Sequence, residues 1–335
     1  MSPTQVGIVF CLAFVTLEAF QAVYLGTVFQ NVSSFLVGAW VFGISVCGCT
    51  LATLLVRPNE IVASIRAWKT VVALNVFAAL TWTSYFAAVQ LIEPAVVFTI
   101  FSGMVPLGTI MGARLGLPEA ASPSTRASQV GHLTILISLL VLAAITILGY
   151  SGFVRGGMID ALVGLGLSAF SGGCTAFVIL YSVRLNTRGV GPLAQFGLRF
   201  VLYALVAFTA FKFGIDDKAQ ETPAGELTLI VLVGLAVIAF PLYLVQKAVP
   251  LVSASVIAAI TALGPAMVFV LQLFDGRTHY SMLTLTGLSI YMTGALLAVF
   301  GTIMPKAQST KSAVIYLEAK TEHSDKVEHV SGQLF

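Results

Sequence analysis

Apolar runs of about 20 residues recur along most of the chain, each long enough to cross the roughly 30 Å hydrocarbon core of a bilayer as a helix. No other feature restricts the fold as strongly. In lipid the backbone must satisfy its own hydrogen bonds, so only helices or a closed barrel can span. The runs lack the alternation of a barrel strand. They fall at 5–29, 34–56, 68–91, 94–114, 130–151, 158–183, 191–213, 226–246, 250–273 and 280–303, predicting an all-α integral membrane protein with ten transmembrane helices. Composition agrees: 9% of residues are charged and 58% hydrophobic, against about 25% charged in soluble domains. The first run has no basic segment before it, no small-x-small cleavage site and a glutamate in its centre, so it reads as a retained helix.

The connections sort by charge. With a cytoplasmic N-terminus, Arg57, Arg66, Lys69, Arg114, Arg126, Arg184, Arg188 and Lys247 fall inside, with Lys306, Lys311, Lys320 and Lys326 of the tail. Arg155, Lys212, Lys218 and Arg277 fall outside, among Glu93, Asp160, Asp216, Asp217, Glu221, Glu226 and Asp275. This positive-inside bias predicts that both termini are cytoplasmic. Asn31 begins a sequon too close to the expected membrane surface for a glycan. Residues 305–335 mix charges with few apolar residues and read as a disordered cytoplasmic tail, where His323 and His329 are too isolated to hold a metal. The net charge of +3 is scattered and gives no reason to expect nucleic acid. Cys11, Cys47, Cys49 and Cys174 lie inside apolar runs and read as packing residues.

The chain also repeats itself. Q-x-x-x-P at 90–94 returns at 246–250, and A-F-x-x-x-Y at 19–24 returns at 176–181. Gly38 matches Gly197 and Pro106 matches Pro265, all within three residues of one shift. The expected units are residues 5–151 and 158–303, five helices each. An odd number of crossings inserts the second unit upside down, the arrangement that suits alternating access.

The segments "SYFAAVQLIEPAVVFTIFSGMVPLGTIMGARL" and "PLYLVQKAVPLVSASVIAAITALGPAMVFVLQL", with "QFGLRF" at 195–200, resemble the EamA-type domain of the drug/metabolite transporter superfamily. The shared pattern is an aromatic helix end, a short polar turn, a run of small residues and a proline in the next helix. The resemblance covers residues 5 to about 303. It implies a secondary transporter of a small organic metabolite, an exporter, in the cell membrane as in a bacterial inner membrane. Its partners would be that solute and the bilayer, with room for a homodimer, and no cofactor. The chain departs from the pattern at Trp40, which stands where the second unit has Arg199. "GLPE" (116–119) and "DGR" (275–277) replace the frequent G-E pair.

Polar residues inside apolar runs are the candidate site. A charge at the centre of a spanning helix costs about 2.5–3.5 kcal/mol on insertion scales, so Glu18 is expected to face a cavity or a partner. Gln21 and Cys11 extend its stripe. A carboxyl that can be charged or neutral suits proton coupling; the alternative is a neutral glutamate bridging two helices. Arg199 can snorkel to the interface, contact an anionic solute group or pair with Glu18, and the first of these is favoured. Asn75, Trp82, Tyr85, Phe86 and Gln90 cluster on the third span, and Tyr243 and Gln246 repeat two of them on the eighth. Trp82 is the expected cavity wall, whereas Tyr85 and Tyr243 suit an interfacial belt equally well. Pro106 and Pro265 are expected to kink their helices, with Ser102, Ser253, Ser255 and Thr261 near the freed carbonyls. Gly108, Gly112 and Gly116 are spaced for close helix contact.

An uncoupled facilitator or channel is the nearest alternative to a transporter. A membrane-embedded enzyme is disfavoured: there is no H-E-x-x-H, no paired intramembrane aspartate and no phosphate loop, and His132 and His279 lie at span ends. The sequence contains no nucleotide-binding domain for ATP-driven pumping.

Overall fold

The computed structural model describes residues 1–29, 31–120, 123, 125–215, 222–275 and 281–303. The expectations for the tail and for Asp216, Asp217, Lys218, Glu221, Arg277 and His279 lie outside these residues, as does the side chain of Asp275.

The chain folds into helices whose ends are written in the sequence. α1 (Pro3–Val28) opens with a capping box: Ser2 Oγ accepts from the Gln5 N–H, and Gln5 accepts from the Ser2 N–H. Pro3 takes the first helical position, where no donor is needed. α2 (Ser34–Val56) is capped by Ser33, whose side chain accepts from the Leu36 N–H. α3 (Pro58–Arg66) is a short amphipathic helix between the second and third apolar runs, where no span is expected. α4 (Trp68–Leu91), α5 (Pro94–Arg114), α6 (Arg126–Ile147) and α7 (Met158–Thr187) follow as continuous helices.

Three expected spans are interrupted, all in the second half. The run at 191–213 is split into α8 (Pro192–Arg199) and α9 (Val201–Lys212) at Phe200. The next run comprises α10 (Ala224–Gly234), a π-turn over Leu235–Ala239 and α11 (Phe240–Ala248). Pro241 lacks the N–H that an α-helix would supply to residue 237, and the π-turn lies across that gap. The run at 250–273 becomes α12 (Ala254–Thr261) and α13 (Gly264–Asp275). Pro265 therefore does not kink a helix from within: it is the second residue of α13, where its missing donor breaks no helical bond. α14 (Met282–Ile303) closes the bundle.

Among the described residues, nine helices are long and apolar enough to cross a membrane, α8 with α9 and α10 with α11 each counting as one. The 250–273 run provides only shorter pieces. The chain is thus an all-α, multi-pass membrane protein. An isolated bridge between Ile92 and Val154 is the sole extended pairing among the described residues.

Packing sets the ends of the bundle. α6 lies along α14, α4 and α5 flank α7, α1 runs against α11, α12 and α13, and α2 meets α8 and α9. Gly131 on α6 and Gly294 on α14 let the backbones touch: a Cβ on Gly131 would lie 2.4 Å from the Ala298 nitrogen. Gly108 and Gly112 serve the same purpose, sitting against Ala176 and Leu180 of α7. Gly116 does not share that contact; it has a positive φ of 78° beyond the end of α5. At the end of the bundle where α1 begins, Glu60 accepts from the Gly191 N–H, Arg188 donates to Thr70, and Arg184 grips Glu119. At the other end, residues 91–93 pair with 152–155, and Glu93 accepts from the Gly152 N–H at 2.9 Å.

Candidate functional site

A narrow cavity lies between α1, α4, α5, α7, α8, α11 and α12, toward the end where α1 begins. Its volume is about 40 Å³, space for one or two waters. Phe14, Trp82, Phe101, Leu242 and Val245 supply apolar walls. Glu18 and Arg199 both line it, and each side chain is only 4% exposed.

Among the described residues, these two charges have no ion-pair partner. Glu18 Oε2 has no hydrogen-bond partner, and neither do Arg199 Nε and Nη1. The ion pairs among the described residues are Arg57–Glu60 and Arg184–Glu119, so Glu18 and Arg199 are more than 4.0 Å apart. The guanidinium carbon stands 4.5 Å over the Phe200 ring, which holds the group in place without neutralising it. Arg199 is buried in the bundle; it does not snorkel to an interface. The break at Phe200 ends α8 directly after it, with Phe42 packed at 4.5 Å on the Phe200 ring.

The remaining polar liners are largely occupied. Thr81 and Thr175 face each other at 3.4 Å, Gln246 Nε2 donates to Ser182 at 3.4 Å, and Thr261 donates to Ile257 O. Gln246 Oε1 is buried without a hydrogen-bond partner.

Of the residues singled out in the sequence, Glu18, Trp82, Arg199 and Gln246 meet at this cavity. Tyr85 sits behind Trp82 and Phe101, at ring distances of 5.9 and 5.2 Å, within electrostatic reach of Glu18. Gln21 is buried with both amide atoms unpartnered, but it does not line the cavity. Tyr243 is also absent from the walls; it packs edge-on against Phe196, and the Lys247 ammonium stands 5.9 Å from its ring centroid. Asn75 has a different task. Its Nδ2 donates to Leu198 O at 2.8 Å and Val71 O at 3.0 Å, and its Oδ1 accepts from the Leu202 N–H at 3.1 Å. It thus bridges the break between α8 and α9. Ser102 does not bond a carbonyl freed by Pro106; its hydroxyl is buried without a partner.

Beyond the cavity, toward the end where α4 meets α5, the bundle is filled with rings. Phe42 contacts Trp82 and Tyr203 at 5.2 and 4.9 Å, and Phe29 contacts Phe86 at 4.9 Å. A second, more polar cavity of about 190 Å³ lies at the opposite end, lined by Thr109, Ser128, His132, Ser253, Ser255 and Thr302. Nothing in the periodicity marks it, because its liners come from four helices and a connection. Thr81, Thr175, Ser182 and the phenylalanines of the first cavity are equally ordinary in composition, and the sequence offers no signal for them.

No family model matches the chain, and no curated protein matches it in sequence. Solved structures do match. One, described only as "Crystal structure of protein", is 18% identical, covers 89% of this chain and 97% of its own, and superposes with a TM-score of 0.63. At that identity the likeness concerns the fold alone.

Proposed function

We propose that this chain is a secondary transporter of a small organic metabolite, an EamA-type member of the drug/metabolite transporter superfamily. The observation that carries the reading is the cavity between helices of both halves, whose buried carboxylate and guanidinium keep hydrogen-bonding capacity that no protein group uses. Intramembrane charges are costly, and facing a solute path is their usual reason for persisting.

In this reading the chain crosses the membrane ten times, as two inverted five-helix repeats at 5–151 and 158–303. Its packing supports the repeat, since contacts keep their pattern when the halves are exchanged. α4 lies on α7 as α11 lies on α1; α5 lies on α7 as α12 and α13 lie on α1; α2 meets α10 as α9 meets α4. Glu18 and its counterpart Thr175 line one cavity. The basic connections put both termini in the cytoplasm of a cell whose plasma membrane holds the protein. The cavity then lies on the cytoplasmic side of the ring-filled layer. That layer disfavours a continuously open channel and fits one state of an alternating cycle, working as an exporter.

Glu18 is the coupling group. Arg199 shares its cavity, Tyr85 lies within its electrostatic reach, and among the described residues no cation within 4.0 Å holds it ionised. The test is Glu18→Gln in vesicles offered labelled amino acids, nucleobases and siderophore-like metabolites. Proton-gradient-driven accumulation should vanish, while exchange at equal pH persists once the solute is supplied at concentrations that offset weaker binding. Loss of neither returns Glu18 to a structural role; wild-type vesicles that move no solute defeat the transporter reading.

A further inference from the structure

We infer that the cavity receives a zwitterionic solute, its anionic group on Arg199, its cationic group on Glu18 and its apolar body against Phe14, Trp82 and Phe101. This rests on the transport reading of the same cavity and names the chemical class of its cargo.

The unused donors and acceptors determine that class. A buried ion without a partner is strongly destabilising, and two opposite ions in one cavity would ordinarily meet. Glu18 and Arg199 stay more than 4.0 Å apart. The threonines and Ser182 between them satisfy one another, Gln246 or a backbone carbonyl, and leave both ions unserved. Free donors therefore remain on Arg199, through Nε and Nη1, and free acceptors on Glu18 Oε2 and Gln246 Oε1.

In the state where Glu18 has released its proton, a solute with one charge cannot satisfy this set. A carboxylate would occupy Arg199 and strand Glu18; an amine would occupy Glu18 and strand Arg199. Only a molecule bearing both covers both. Nε and Nη1 lie on different edges of the guanidinium, so each edge keeps an unused donor for a carboxylate. A zwitterion also carries no net charge into a low-dielectric site, which spares it the largest desolvation cost. Gln246 Oε1 offers a second acceptor for an ammonium, which has three donors to place. The aromatic and aliphatic walls then select for the rest of the molecule, and the tight volume requires the helices to part around it.

The experiment uses the full chain in lipid nanodiscs and equilibrium dialysis of two labelled trios at one pH. The first trio is leucine, leucinamide and 4-methylpentanoate; the second is phenylalanine, phenylalaninamide and 3-phenylpropanoate. Within each trio the skeleton is constant while the anion or the cation is deleted. The expected result is that, in at least one trio, the zwitterion is retained at least tenfold more tightly than both relatives. Arg199→Gln should reduce it to the level of its amide, and Glu18→Gln to the level of the desamino acid. Arg199→Lys, which keeps the charge but loses the fork, should fall between. If a variant does not fold, the wild-type comparison within each trio decides alone. Equal retention of an amide or a desamino acid overturns the inference, and so does retention of no member. Counterflow of some other solute alongside such a failure leaves transport standing and removes only the zwitterion. Retention without movement of any solute removes transport instead.

Discussion

Arg184 grips Glu119 through two parallel bonds, Nε to Oε1 at 2.6 Å and Nη2 to Oε2 at 2.7 Å. The contact ties the connection after α5 to the last turns of α7, beside the second cavity. Arg184 also stands 5.4 Å over the Tyr181 ring, so the fork is held on both its edge and its face. Glu119→Gln removes the charge and one acceptor. We expect about 1 kcal/mol of loosening at this end, read as roughly fivefold faster thiol labelling of Ser253→Cys from that side. The same bond holds the Glu119 carboxyl below its ordinary range, mainly through the Arg184 hydrogen bond. Because the folded state favours ionisation, the stabilisation is complete at neutral pH and fades as pH falls below about 4. Labelling that ignores both the mutation and acid would leave this pair no part in closing the end.

Asn75→Ala should destabilise the helix break it spans. Its removal leaves the Leu198 carbonyl and the Leu202 N–H without partners in a place where water is scarce. The expected cost is about 1–3 kcal/mol, measured as a lower melting temperature in detergent. Asn75→Asp should recover part of it, since a carboxyl oxygen can still accept from Leu202.

Gly131 should respond differently from Gly43 and Gly48. Gly131→Ala would drive a Cβ to 2.4 Å from the Ala298 nitrogen and 2.7 Å from the Gly294 oxygen, both backbone atoms. We expect a loss of about 1–3 kcal/mol as α6 and α14 separate. Gly43→Ala and Gly48→Ala on α2 meet nothing within 4 Å and should be neutral, or stabilising by about 0.5–1 kcal/mol through helix propensity. Thermal unfolding of the purified variants checks both.

The matched prolines should differ as well. Pro106 lies inside α5 and leaves the Ser102 carbonyl without its helical donor. Pro106→Ala restores that bond, stiffens the helix and should slow solute exchange severalfold. Pro265→Ala alters only the start of α13, so exchange should change less than twofold. Equal effects at both positions would mean that the break before α13 depends on the proline after all.

At the opposite end, Glu93 is fully buried, with Oε1 unpartnered and Oε2 on the Gly152 N–H. Burial raises its carboxyl above the ordinary range, opposed by the Gly152 bond. A raised folded value means that ionisation of the buried carboxyl works against the folded state here. Its contribution is complete below about pH 4 and is lost as pH rises through the folded value. Glu93→Gln, which cannot ionise, should remove the alkaline decline in amide-exchange protection of residues 152–155. An unaltered decline would assign it to another group.

Much of the architecture was legible in the chain itself. A run of apolar residues in lipid has to form a helix, because the backbone has no other source of hydrogen bonds. Run lengths, the capping box at Ser2 and the prolines at positions 3 and 94 therefore anticipate most helix bounds. The cost of a charge at the centre of a spanning run marks Glu18 from sequence alone, whereas Arg199, nearer the end of its run, reads as a snorkelling residue. Which way those charges face was decided by tertiary contacts. Trp40 and Arg199 correspond in the repeat we propose, yet Trp40 is 53% exposed and Arg199 is buried. The break after Arg199 has no proline to announce it, and Gly197 just before it lies within regular helix; Asn75, more than 120 positions earlier, supplies the missing partners. Local propensity acts within a turn or two of helix, so it could locate the elements. Partners brought together from distant positions chose the breaks, the buried face and the walls of the cavity.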